Sequence, residues 1–128
     1  MLASAAALAF ALATPAPAVA ERRVVARTDE GRRVVLTIRR RTVVRVRVEL
    51  RRYRCDVFGD IGPLHVDERV RARIGADGRF RIAAGEPAQR LALHGRLDRG
   101  RRHAGGRLKV RGTIATGQRC ASALVRFR

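Results

Sequence analysis

Outside the first twenty residues, three histidines, two cysteines and one serine are the side chains best suited to act as base, nucleophile or metal ligand. His65 precedes Asp67 by two residues. On a strand that spacing puts both on one face, where a carboxylate could orient an imidazole for general-base work. His94 and Asp98 straddle the end of another apolar run, and His103 lies in a basic loop. A hydrolase using His65 or His94 would also need a nucleophile, and Ser122 stands in no recognisable nucleophile motif. Solvated histidines are the expectation, and no residue is nominated as catalytic. Asp56, Asp60, Asp67 and Glu68 could converge around Gly59 and Gly62, but no calcium-loop spacing is present. A formal charge of +18 also disfavours a free divalent cation. Pairing of these acids with neighbouring arginines is expected instead, with no metal and no cofactor.

Cys55 and Cys120 form no Cys-x-x-Cys motif, and no histidine stands at metal-ligand spacing from either. An even pair in an oxidising compartment forms one disulfide in the simplest case. Closing a loop of that length stabilises a fold by about 4 kcal/mol on the chain-entropy model.

Charge is the other chemical resource. The chain has 29 basic residues, of which only Lys109 is a lysine, against 11 acids. A GC-rich genome would account for arginine over lysine, but not for the scarcity of acids. Such a surface attracts polyanions and repels copies of itself. Two sets of residues could use it. In the loop Asp98–Gly106, Gly-rich turns could cradle an anion on backbone amides, while Arg99, Arg101, Arg102 and Arg107 grip phosphate or sulfate bidentately. No Walker-type phosphate loop is present. On strand faces, Arg69, Arg71 and Arg73 form one outward row, with Arg79 and Arg81 on the strand expected to pair with it. Arg45, Arg47 and Arg51 make another row, and Arg107, Lys109 and Arg111 a further one. Directly opposed like charges destabilise a sheet, so a small domain that tolerates them uses the face or offsets it with bound anions. Tyr53, Phe58, Phe80 and Phe127 are too few for a stacking platform, and no major-groove helix is evident. No dedicated nucleic-acid site is expected; an anionic envelope polymer or an acidic partner suits the charge better.

The elements that must position these residues follow from strict alternation. Val34, Leu36 and Ile38, then Val44, Val46, Val48 and Leu50, occupy every second position, and the same period returns in Leu64–Ile74, Phe80–Ile82, Leu91–Leu93 and Leu108–Val110. That period marks half-buried antiparallel strands. Thr28–Gly31, Gly75–Gly78, Gly85–Pro87 and Asp98–Gly106 supply turn chemistry between them. The expected fold is all-β, an antiparallel β-sandwich or small barrel of about eight strands. After Leu50 the apolar parity shifts to Tyr53, Cys55 and Val57, which predicts a bulge or break near Arg51-Arg52. Glu68 falls at an inward position, where it would lie at a rim or pair with an arginine. Gly95 and Gly112 also fall inward, predicting a bulge or close backbone packing.

Asp77-Gly78-Arg79-Phe80, Leu93-His94-Gly95-Arg96-Leu97, the Gly-rich Ala104–Gly112 and the late Cys120-Ala121-Ser122 resemble the small secreted bacterial β-proteins in which a DGxF hairpin precedes Gly-rich strands. The similarity covers about half the chain. It implies an all-β secreted domain and transfers no active site.

The leader fits that address. Ala5 to Ala13 is an apolar run too short to span a bilayer, followed by Thr14-Pro15-Ala16-Pro17 and a small-x-small site, Ala18-Val19-Ala20. The expectation is a signal peptide over residues 1–20 and a single soluble β-rich domain over 21–128, extracytoplasmic, with no transmembrane segment in the mature chain. Its expected role is non-enzymatic association with anionic surfaces through exposed arginines. A small apolar-ligand carrier with a barrel interior is the alternative, with the hydrolase behind it.

Overall fold

The computed structural model describes residues 3–11 and 20–128; most of the expected cleavage site, Ala18 and Val19, lies outside the described residues. Among the described residues no helix is long and apolar enough to cross a membrane. The structure is all-β: β1 (Glu21–Arg27), β2 (Arg33–Arg39), β3 (Thr42–Leu50), β4 (Arg54–Cys55), β5 (Gly59–Asp60), β6 (Leu64–Arg73), β7 (Arg79–Glu86), β8 (Gln89–Leu97), β9 (Ala104–Thr113), β10 (Arg119–Ala121) and β11 (Val125–Phe127). They form two antiparallel sheets that pack together as a β-sandwich. The first has the order β1-β2-β3-β6; the second runs β5-β4-β10-β9-β8-β7, with β11 also on β9.

Alternation makes the core. Val34, Leu36, Val46 and Val48 of the first sheet face Leu91, Leu93, Leu108 and Val110 of the second in one cluster of buried side chains. The two sheets are stitched along one side, where Arg27 and Arg128 exchange both main-chain hydrogen bonds (3.1 and 3.0 Å) and Asp29 N–H donates to Arg126 O at 2.8 Å.

Four local expectations meet tertiary detail. The sequence pairs Arg69–Arg73 with Arg79 and Arg81, but β6 pairs with β3 and β7 with β8. The Gly75–Gly78 turn therefore carries the chain from one sheet to the other. Gly78 has φ 84°, and a side chain there would run into Leu97 O. Val44 is not the inward residue of its run: a register shift between Val43 and Arg45 leaves Val43 fully buried and Val44 half-buried. The strand break after Leu50 occurs as expected, but Val57, expected inward, is 77% exposed, and Arg51 lies past the end of β3. Glu68 is half-buried opposite Val46 and makes no ion pair among the described residues.

The inward glycines do have close neighbours. Phe80, Gly95, Gly106 and Phe127 stand in one cross-strand row over β7, β8, β9 and β11. A Cβ on Gly95 would strike the Phe80 ring, and one on Gly106 would meet His94 O and lie 2.9 Å from Phe127 Cζ. Two aromatic rings thus cover two bare stretches of backbone, an arrangement that restores the packing glycine forfeits. Gly112 leaves room for Ala88 O, which also accepts the Tyr53 hydroxyl at 3.1 Å. Burial pushes the Tyr53 phenol up from its ordinary pKa.

Candidate functional site

Strand register sets what each outer face presents. On the first sheet the rows read Arg23–Thr37–Arg45–Arg69 and Val25–Val35–Arg47–Asp67, and Glu49 stands opposite His65. Asp67 takes a two-pronged hydrogen bond from Arg45, Nε to Oδ1 at 2.8 Å and Nη2 to Oδ2 at 2.6 Å. Arg47 approaches the same carboxylate at 3.7 Å. The Arg45 hydrogen bond, chiefly, holds the Asp67 carboxyl below its ordinary 3.8, although partial desolvation works against it. Val25, 47% exposed, and half-buried Val35 lie beside this pair.

The second sheet's outer face differs. Arg81, His94, Arg107 and Arg126 stand side by side across four strands, and the next row pairs Arg79 with Arg96 and Arg96 with Gly105. Ala83, Ala92 and Lys109 make the third row, Gly85, Arg90 and Arg111 the fourth. Small residues thus keep the sheet surface low between the bases. Because Gly105 adds no side chain, a shallow trough opens there between Arg79, Arg81, Arg96 and Arg107. The only acid in β7, β8, β9 and β11 is Glu86, at the far end of β7. At the near rim Asp77 approaches Arg79 at 3.6 Å.

The nominated arginines occupy three separate places. Arg69, Arg71 and Arg73 are exposed on β6 of the first sheet, with Arg69 opposite Arg45. Arg107 is on the second sheet. Arg99, Arg101 and Arg102 lie in the β8–β9 loop, where the Arg101, Arg102 and His103 amides are taken by Asp98. Asp98 Oδ1 accepts from Arg102 N–H (2.9 Å) and His103 N–H (3.1 Å). The chain's own carboxylate thus occupies two of the loop's amides. The His103 amide is the main cause of the lowered Asp98 pKa, ahead of Arg102's. Arg101 adopts φ 52° and its guanidinium reaches Arg40 O at 3.4 Å, so it braces the loop against the first sheet.

The residues of the hydrolase reading are dispersed. His65 is exposed and stands opposite Glu49, while its neighbour Asp67 is engaged by Arg45. His94 lies between Arg81 and Arg107, and the Asp98 carboxylate turns to its own loop. Ser122 is buried; its hydroxyl accepts from Val110 N–H and donates to Ala123 O, both at 2.9 Å, beside the main-chain bond from Ser122 N–H to Val110 O (2.7 Å) where β10 passes toward β11. Among the described residues no three His, Cys, Asp or Glu side chains gather closely enough to hold a metal ion.

Cys55 and Cys120 form the disulfide expected from the sequence, as direct cross-strand partners of β4 and β10. The bond is consistent with an oxidising, extracytoplasmic compartment.

The arginine row with His94 at its centre was not recognisable as a unit beforehand. Its members are spread over some forty-five residues, and only the pairing of β11 with β9 brings Arg126 beside Arg107. No protein-family model, curated protein or solved structure matches the chain.

Proposed function

We propose that this is an extracytoplasmic, non-enzymatic domain that binds an anionic polymer of the cell envelope along the outer face of its second sheet. One observation carries the reading: β7, β8, β9 and β11 hold eight Arg or Lys residues and a single acid, Glu86 at a hairpin end. Opposed like charges in a sheet cost stability, and a bound polyanion would remove that cost while releasing its own counterions. Guanidinium forks recognise sulfate, phosphate and carboxylate groups alike. A low surface between the arginines suits a chain laid along it better than a small ligand enclosed within it. The sandwich interior, filled by Leu91, Leu93, Phe80 and Phe127, gives no support to an apolar-ligand carrier.

Heparin serves as the probe polyanion in a salt titration. Replacing Arg81, Arg107 and Arg126 together with Gln is expected to weaken binding about tenfold near physiological salt and flatten the salt dependence. The charge-matched control neutralises Arg23, Arg27 and Arg33 on the first sheet, and a clearly smaller loss is expected there. Equal losses in the two triple variants would reduce the binding to net charge and overturn the reading.

A further inference from the structure

The turn between β4 and β5 exposes Val57 (77%), Phe58 (60%) and nearby Ile61 (48%), large apolar side chains clustered within five residues. Such a tip needs an explanation in a small domain, because bulky apolar groups concentrated at one exposed point mark an interaction site more often than scattered ones do. Its backbone is held unusually firmly. Gln118 Oε1 accepts from the amides of both Val57 (3.0 Å) and Phe58 (3.1 Å). Asp56 N–H donates to Arg119 O at 3.0 Å, Ile61 N–H to Tyr53 O at 3.0 Å, and Gly62 N–H to Asp60 Oδ1 at 3.0 Å. The Cys55–Cys120 bond closes the base.

These bonds matter for the kind of partner. Backbone amides taken into hydrocarbon without partners are strongly penalised, so a loop that enters a lipid interface must satisfy them internally. Here the N–H groups of Asp56, Val57, Phe58, Ile61 and Gly62 all have acceptors within the chain, so no donor there is left for a partner strand, while the Val57 and Phe58 carbonyls are left to the water and headgroups of the boundary. Charge points the same way: Arg51, Arg52, Arg54 and Arg119 are exposed in the adjoining segments, against Asp56, Asp60, which serves the turn, and Glu30, which accepts from Arg51 N–H at 3.2 Å. An apolar tip with a basic collar is the pattern of an interfacial anchor on anionic lipid.

We propose that the β4–β5 tip seats Val57, Phe58 and Ile61 in the headgroup–acyl boundary of an anionic bilayer. The site lies beyond the arginine face of β7–β9 and does not depend on the polyanion reading.

The full chain contains no tryptophan, so Phe58→Trp gives a single fluorophore at the tip, distinct from the N-terminal apolar run. With 3:1 phosphatidylcholine:phosphatidylglycerol vesicles its emission is expected to shift to the blue and to be quenched by lipids brominated on the acyl chain. The double variant Phe58→Ser/Ile61→Ser is expected to cosediment with these vesicles at least about tenfold more weakly. Its thermal midpoint and heparin affinity should stay unchanged, which separates loss of the tip from loss of the fold or of the arginine face. Three results would overturn the proposal: no cosedimentation of the native chain, a tryptophan that stays unquenched on sedimented protein, or a double variant that binds vesicles as before. A native dimer that the double variant converts to monomer, with vesicle binding unaltered, would assign the tip to a second copy of this chain instead.

Discussion

The two outer faces of the sandwich are built from the same materials and end in different electrostatic states. Both alternate apolar and basic residues on antiparallel strands. On the first sheet, however, Asp67 sits where Arg45 and Arg47 can both reach it, and Glu49 stands opposite His65. On the second, Arg81, His94, Arg107 and Arg126 adjoin one another with no carboxylate in the row. The strands of the first sheet hold four acids, Asp67 and Glu49 among its basic rows, whereas β7, β8, β9 and β11 hold only Glu86. A local field depends on which residues register places side by side, and an exposed ion pair offers little stability while still neutralising its neighbourhood.

The largest expected effect tests what secures the second sheet's far edge. The Cys55–Cys120 bridge spans 65 residues and fastens β4 to β10. Replacing both cysteines with Ser is expected to lower unfolding free energy by about 4 kcal/mol, read from denaturant midpoints. If the loss is near zero, the second sheet holds its edge by hydrogen bonds alone.

Next come the glycines beneath the cationic rows. Gly106→Ala would drive a methyl group into His94 O, a backbone atom that cannot move aside, and is expected to cost roughly 3 kcal/mol. Gly95→Ala meets the Phe80 ring, which can tilt, so about 1–2 kcal/mol is expected. Adding Phe80→Leu should recover part of the Gly95→Ala loss, as a double-mutant cycle would reveal. Additive losses would mean that the ring does not shield that backbone.

The comparison sharpens by exchanging the acids. Asp67→Asn releases Arg45 and Arg47 and is expected to raise heparin affinity a few-fold, whereas Ala92→Asp places a carboxylate within the second face and should lower it by a similar factor. Both sites are on exposed strand faces, so the fold should tolerate either change. The Asp67→Asn gain should depend on pH. A carboxylate with a depressed pKa lends its stabilisation above the ordinary value of 3.8 and loses it as pH falls through the lowered one. Titrated well below that value, native chain and Asp67→Asn should bind alike; a difference that persists would mean that Asp67 is not what neutralises the first face.

The smallest effect is confined to the β8–β9 loop. Asp98→Ala removes the acceptor for the Arg102 and His103 amides. Hydrogen exchange at those two amides should quicken with little change in global stability, because the bonds hold one exposed loop. In the native chain the protection of those amides, taken relative to intrinsic exchange at each pH, should fall as Asp98 is protonated below the carboxylate range.

Several of these features were legible in the residues themselves. Alternation identified strands because side chains point to opposite faces at every step, and the inward glycines announced close packing because nothing else fits there. The cysteine pair predicted its bridge from number and setting. What failed did so for specific reasons. Arg40-Arg41 carries no turn signature, yet Arg40 takes φ 56° in the β2–β3 hairpin, where Ile74 N–H and the Arg101 guanidinium bind the carbonyls of Arg41 and Arg40. Contacts from remote segments made that turn. In the loop Asp98–Gly106, spacing could not tell that the Asp98 carboxylate turns back onto the Arg102 and His103 amides.

The sequence by itself determined an all-β fold, its inward and outward residues outside the irregular stretches, the disulfide and the excess of arginine. All of these follow from local periodicity or composition. Tertiary structure alone decided that β6 and β7 part company after a glycine turn, that Val57, Phe58 and Ile61 stand on a braced tip, and that Arg126 joins Arg81 and Arg107 in one row. These depend on strand register and order, which are fixed by packing and main-chain pairing between residues far apart in the chain.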